Sequence, residues 1–448
     1  MCGEMGKIVA TILVYFASNI YLSCIETGIY WGIPVLCILF LWVNVLPGFL
    51  PYKIEEIRLR MCREGCDLLE IFLASSVLNL ISVCYGIGGL IPGIGSIRED
   101  SKLWGLNLLV ICIFEGIVFW NGIIRVYLSS YQLGINMRVI GIICGMIPFV
   151  HLVVLFIIIF LVEKELEVEM HKLRQNALRR EQQICKTKYP ILLVHGVFFR
   201  DSKYLNYWGR IPRELEQNGA KVFYGNHESA VSIAQSAEEI KMQIQNVLQE
   251  TGCEKVNIIA HSKGGLDCRY MLAKLDMAPQ VASLTTINTP HRGCIFADYL
   301  LQKISKKQQH RIAKTYNSAL KKLGDTNPDF LGAVSELTAS SCRTFNGEIK
   351  DAPGVYYQSV GSLMKRVTSG NFPLTMTTTL VKHFDGPNDG LVGKDSFPWG
   401  EKFTYLQNRG NQGITHADMV DLNRKDISGF DVREFYVQLV RELAARGF

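Results

Sequence analysis

No disulfide framework can be drawn through this chain. Its 448 residues hold 13 cysteines, an odd number, with eight before residue 163 and five scattered after it, and none of the regular spacing of a stapled domain is present. Cys62 and Cys66 stand at helical spacing, but a lone CxxxC has no second pair to complete a metal site, so packing is the expected role. Free thiols fit a reducing surrounding for the soluble part. Nucleic-acid signatures are missing too. The formal net charge is only +6, and no zinc-finger, RRM or basic-zipper pattern accompanies it, so no nucleic-acid partner is expected. The glycine-rich stretch from Gly86 to Ser96 lacks a Walker lysine and follows an apolar run instead of a strand, which excludes a nucleotide loop.

Charge is also scarce before residue 163. Five apolar segments, 8–24, 29–50, 68–90, 103–124 and 139–162, approach or exceed the ~20 residues that cross a bilayer. In lipid each must satisfy its own backbone, hence a helical domain over residues 1–162 with about five spans. Basic residues divide evenly between the two sides of such a bundle, so they do not fix its orientation. The free cysteines favour a cytoplasmic catalytic part. Glu115 and His151 lie inside expected spans, where an ionisable group is costly and points to function or to a polar partner in the bundle. Residues 163–188 are charged and rich in helix formers, a helical linker.

From residue 189 the pattern changes to short apolar runs alternating with helical periodicity. Residues 189–195, 220–224, 255–260, 281–288, 355–363 and 403–406 read as strands, and 430–445 as a closing amphipathic helix. This alternation predicts an α/β fold with a parallel sheet covered on both faces. At the end of the third strand stands Ala260-His261-Ser262-Lys263-Gly264. A serine between a strand and a helix needs small residues two places to either side, and Ala260 and Gly264 meet that need. Ser262 is therefore the candidate nucleophile. Two main-chain N–H groups should face the oxyanion of an acyl-transfer intermediate. Lys263 supplies one, and Val197, after His195-Gly196, supplies the other, with Phe198 as the alternative. A base and an acid must follow in the order Ser, acid, His. His416 fits the base, because His383 precedes the acid loop. Asp389 in Asp385-Gly386-Pro387-Asn388-Asp389-Gly390 is the candidate acid, with Asp385 as the alternative. His261 and His291 are expected to be structural or to line the site.

At these residues the sequence resembles the bacterial triacylglycerol lipases. The resemblance covers residues 189–420 and rests on VHG at 194–196, YWGRIPRELEQNGAKV at 207–222, AHSKGGLDCRY at 260–270, TTINTPHRG at 285–293, LGAVSELT at 331–338, NDGLV at 388–392 and HADMV at 416–420. It implies an α/β-hydrolase fold over residues 189–448, a Ser262–His416–Asp389 triad, and hydrolysis of lipid esters, acylglycerols or phospholipids, through an acyl-enzyme. A lipid acyltransferase, a thioesterase or a non-catalytic membrane scaffold would be built on the same residues.

Three departures stand out. The membrane domain is additional. Some members of the family bind a structural calcium beside the histidine loop; Asp418 matches one such position, but Leu422 replaces an expected polar residue, so no cofactor is expected. The region 294–345, a lid in the family, begins with a strongly basic amphipathic stretch suited to an anionic lipid surface, making the bilayer a partner as well as the source of substrate.

Overall fold

The computed structural model describes residues 2–28, 30–48, 52, 54–87, 101–145, 147, 149–197, 206–322, 325–366 and 374–448. It divides into two compact units, Met1–Arg174 and Gln175–Phe448.

The first unit is helical: α1 Cys2–Ser18, α2 Ile20–Thr27, α3 Gly32–Val45, α4 Ile57–Ile87, α5 Ser101–Ser129, α6 Gly134–Cys144 and the greater part of α7 Val150–Arg179. Two stretches, Ile57–Gly86 and Ser101–Ser129, are long and apolar enough to cross a membrane. The other segments expected to span are shorter or broken. Residues 8–24 are divided at Asn19, whose main-chain N–H still reaches the Tyr15 carbonyl while its side chain turns to Asn79. Residues 139–162 form two helices instead of one, with Phe149 at a φ of 64° between them. The sequence carries Pro148 there. A proline lacks the amide proton and disfavours helix in the residue before it. The glycine-rich stretch is largely outside the described residues.

Inside this unit Glu115 is buried and accepts hydrogen bonds from Ser75 Oγ (3.0 Å) and Asn79 Nδ2 (2.8 Å). Asn79 Oδ1 accepts from Asn19 Nδ2 (2.6 Å), and Asn19 Oδ1 from Asn107 Nδ2 (3.0 Å). The line of amides thus ends on the carboxylate and joins α4, α5 and the α1–α2 junction. It is the polar pairing that an apolar bundle demands of a buried acid. His151 is not part of it; its ring sits at the exposed start of α7. Cys62 and Cys66 are both buried. Cys66 groups with Glu70 and Glu163 at ligand-like spacing, but Lys7 already neutralises Glu70 at 2.8 Å.

The second unit holds one sheet of six parallel strands, β1 Ile191–Val194, β2 Val222–Tyr224, β3 Val256–His261, β4 Val281–Ile287, β5 Tyr356–Ser362 and β6 Lys402–Leu406, in the order β2-β1-β3-β4-β5-β6. The helices are α8 Ile211–Gln217, α9 Ile233–Thr251, α10 Lys263–Lys274, α11 Ile295–Lys303, α12 Lys306–Lys322, α13 Phe330–Ser335, α14 Ala339–Glu348, α15 Leu374–Asp385 and α16 Val432–Ala445. Strand residues alternate between two cores. Leu192, Val194, Ile258 and Ala260 pack on Ile240, Ile244, Met271 and Leu272 of α9 and α10. Ile191, Leu193, Ile259 and Ile287 pack on Trp208, Leu215, Tyr436 and Val440 on the other face. Each such side chain, fully buried, contributes about 1.5–3 kcal/mol. Strand order reverses direction at β1, so a crevice opens between the carboxyl ends of β1 and β3. Gly196 follows β1 there, and Ser262 follows β3.

Candidate active site

Ser262 stands between β3 and α10 with φ 55° and ψ −129°. This is backbone that a non-glycine residue holds only under constraint. The constraint is visible. Ser262 N–H donates to the Ile287 carbonyl of β4 at 2.9 Å, and its own carbonyl accepts from Gly265 N–H at 3.1 Å. A Cβ at Gly264 would come within 2.4 Å of the His195 carbonyl, and one at Gly196 within 2.7 Å of Ser262 Cβ. Two glycines therefore let the loop after β1 and the turn after β3 touch. Ala260, two places before the serine, is buried within the sheet.

The loop after β5 and the loop after β6 bring the acid and the base together. Asp389 is fully buried, and its Oδ2 lies 2.6 Å from His416 Nδ1. The same oxygen accepts from Asn288 Nδ2 at 2.6 Å, while Oδ1 accepts from Leu391 N–H (2.9 Å) and Val392 N–H (2.8 Å). His416 N–H in turn donates to the Asp389 carbonyl at 2.9 Å. Four donors around one carboxylate fix its orientation. The His416 ring lies 4.4 Å from the ring of His261, the residue that precedes Ser262.

Asp385, the alternative acid, is engaged elsewhere. Its two oxygens accept from Ile295 N–H (2.8 Å) and Phe296 N–H (3.0 Å), the first amides of α11. Burial raises this carboxyl above its ordinary value. His383 is on α15, edge-on to Phe384. His291 is buried, bonded to Thr286 Oγ1 at 2.9 Å and stacked on Trp399.

Val197 is buried shortly after β1, and Lys263 opens α10. Among the described residues neither main-chain N–H donates a hydrogen bond. Phe198 lies outside the described residues. The Lys263 side chain turns inward, where Nζ meets Asp267 Oδ1 at 2.7 Å and Ser236 Oγ at 3.0 Å. Burial lifts the Asp267 carboxyl to about 7 against the pull of that lysine.

Several groups around the site escaped the sequence reading. Tyr207 Oη lies 2.6 Å from His261 Nδ1 and accepts from Gly196 N–H at 3.2 Å, linking the β1 loop to the strand that carries the serine. Burial holds the His261 imidazole well below its usual value, so it stays neutral. Asn288 directly follows β4 in the left-handed region, at φ 49°. Its position after a strand end was the available signal. Tyr436 Oη donates to the Met419 carbonyl at 2.9 Å, fastening the histidine loop to α16.

At the calcium position that the resemblance marks, Asp418 and Asp421 both have protein partners. Asp418 Oδ2 accepts from Thr415 N–H at 2.9 Å. Asp421, three residues on, already faces the Arg210 guanidinium at 2.8 Å.

Comparison with known proteins decides the class. The alpha/beta hydrolase fold family model matches residues 189–435. The chain belongs to the α/β-hydrolase family. A triacylglycerol lipase of Pseudarthrobacter phenanthrenivorans is 36% identical over 230 residues, 46% of this chain and 71% of that protein. Triacylglycerol lipase 2 of Saccharomyces cerevisiae is 26% identical over 297 residues, 62% of this chain and 82% of its own length. Among solved structures, the Staphylococcus hyicus lipase aligns with TM-score 0.46 and 18% identity over 58% of this chain and 96% of that one. Within the family the chain is lipase-like, and it is a carboxylic ester hydrolase.

Proposed function

We propose that this α/β-hydrolase is a membrane-anchored lipase that cleaves acylglycerol or phospholipid esters with Ser262 as nucleophile. Ser262 Oγ attacks the ester carbonyl as His416 takes its proton. The tetrahedral oxyanion is stabilised by Val197 N–H and Lys263 N–H. His416 then returns the proton to the departing alcohol, leaving an acyl-serine. Water activated by the same imidazole attacks the acyl carbon, and the fatty acid leaves with Ser262 restored. Asp389 keeps the imidazole in the tautomer whose Nε2 is basic.

One observation carries the reading: a fully buried carboxylate with four donors, one of them the His416 imidazole at 2.6 Å, in the loop following β5. That neither the Val197 nor the Lys263 main-chain N–H donates a hydrogen bond among the described residues supports the oxyanion role. Membrane attachment is supported by Ile57–Gly86 and Ser101–Ser129. The test is covalent labelling of the full chain by a fluorophosphonate, which should react with the parent and not with Ser262→Ala. Equal labelling of both would overturn the assignment. Lipid product analysis separates hydrolysis, which releases fatty acid, from acyl transfer to a second lipid.

A further inference from the structure

From Tyr299 to Gly324 the sequence holds no acidic residue and seven basic ones, six of them on α12. The helix rests on the hydrolase unit through buried Ala313 and Leu320, by stacking of Tyr316 on Phe330 at 4.4 Å, and by the Asn317 side chain accepting Phe330 N–H at 2.9 Å. The rest of it faces outward. At 3.6 residues per turn Lys307, Arg311, Lys314 and Lys321 fall within an arc of about 80°, and all four are exposed. Among the described residues none of the six α12 cations forms an ion pair. Acids that follow or neighbour the helix are occupied. Asp325 turns inward to Ser229 Oγ at 2.6 Å, Asp329 caps α13, and Glu228 accepts Thr326 N–H. The opposite flank of the outward face carries exposed Ile312, and α11, tied to α12 by Gln309 Nε2 on the Leu301 carbonyl at 2.6 Å, exposes Ile295, Tyr299 and Leu300.

A basic flank beside exposed aliphatic and aromatic side chains is the composition of a helix that lies at a lipid interface. A nucleic acid would leave the aliphatic side chains without use, and a protein partner would have to bring its own acids. We propose that α12 is a docking surface for an anionic phospholipid bilayer, with the Lys307–Arg311–Lys314–Lys321 flank against the headgroup phosphates and the exposed apolar side chains of α11 and α12 entering the interface. The inference rests on the lipase reading for its setting, a substrate presented in a membrane. It adds that headgroup charge regulates access.

Its test uses the full chain reconstituted in vesicles of neutral phosphatidylcholine, with or without about one third phosphatidylglycerol. Trypsin cleavage within residues 306–322 is timed against cleavage elsewhere in the chain. One basic side chain near an anionic surface contributes about fivefold to attraction. Cleavage of the α12 sites should therefore slow at least about tenfold with phosphatidylglycerol and recover in molar salt. Hydrolysis of a bilayer-embedded long-chain ester should rise with phosphatidylglycerol in the parent and stay flat in the K307Q/R311Q/K314Q/K321Q variant, with soluble short-chain ester hydrolysis unchanged. Equal cleavage in neutral and anionic vesicles would overturn the proposal, as would protection by a short DNA duplex in neutral vesicles to the same degree as by phosphatidylglycerol. Proteolysis needs no turnover. A chain that hydrolyses no ester yet shows charge-dependent protection would count against the triad and for the docking surface.

Discussion

Replacing Asp389 by asparagine, with Asp385→Asn as its partner experiment, tests the acid assignment from the hydrogen bonds themselves. Leu391 N–H and Val392 N–H both point at Oδ1 of Asp389. An asparagine there must keep its carbonyl oxygen facing them, so its NH2 occupies the place of Oδ2. That place already receives the Asn288 amide and faces His416 Nδ1. Two donors then oppose the new donor. His416 is forced to the tautomer with Nδ1 as acceptor and Nε2 protonated, and it can no longer take the serine proton. For a Ser-His-Asp triad this fault costs about 10⁴ in kcat, or ~5.5 kcal/mol at 1.36 kcal/mol per decade. Asp385→Asn removes only a charge from the start of α11, where a carboxylate contributes about 0.3–1 kcal/mol, so turnover should stay within about threefold. Hydrolysis of a short-chain p-nitrophenyl ester by both purified variants, with thermal melts to verify folding, makes the comparison. Retention of a tenth of parental kcat by folded Asp389→Asn, or an equal collapse in Asp385→Asn, would refute the reasoning.

Further outcomes follow from the packing around the site. Lys263→Met alone strands the buried Asp267 and should cost about 3–5 kcal/mol in chemical denaturation, while the Lys263→Met/Asp267→Leu pair should recover most of it and keep turnover, because the proposed mechanism uses only the main-chain N–H of residue 263; a folded double variant without activity would contradict that. Burial raises Asp267 from its ordinary carboxylate range to about 7, so the folded state holds this proton more tightly than the unfolded one. The associated stability is present below about pH 4 and lost as pH climbs through about 7. Unfolding measured against pH should therefore show the parent losing stability relative to the double variant across that window, and parallel curves would count against it. Tyr207→Phe removes the hydroxyl shared by His261 Nδ1 and Gly196 N–H. A loss of about 1–3 kcal/mol is expected, together with a fall in kcat at little changed KM, since the β1 loop carries the Val197 amide; an altered KM with normal kcat would place its effect on substrate binding.

Much of the hydrolase unit was legible in the sequence, because buried parallel strands read as continuous apolar runs and a serine elbow imposes small residues at fixed offsets. All six strands fall inside the segments read from residues 189–195, 220–224, 255–260, 281–288, 355–363 and 403–406, give or take a residue at their ends. The order of Ser262, Asp389 and His416 along the chain follows from connectivity. What local sequence could not state is which groups meet across the fold. Asp385 and Asp389 sit four residues apart, at the end of α15 and in the loop after it, and only the third dimension sends the first to the α11 amides and the second to His416. Asn288 and Tyr207 have no local signature, since their partners lie 101 and 54 residues away. In the helical unit hydropathy recorded apolar length well and helix breaks poorly. A transfer free energy sums over residues, whereas one proline amide or one asparagine side chain decides where a helix ends. The sequence therefore determined the kind of protein and the identity of its candidate chemistry, and the tertiary structure decided the pairings, because a hydrogen bond depends on distance in space and not on separation along the chain.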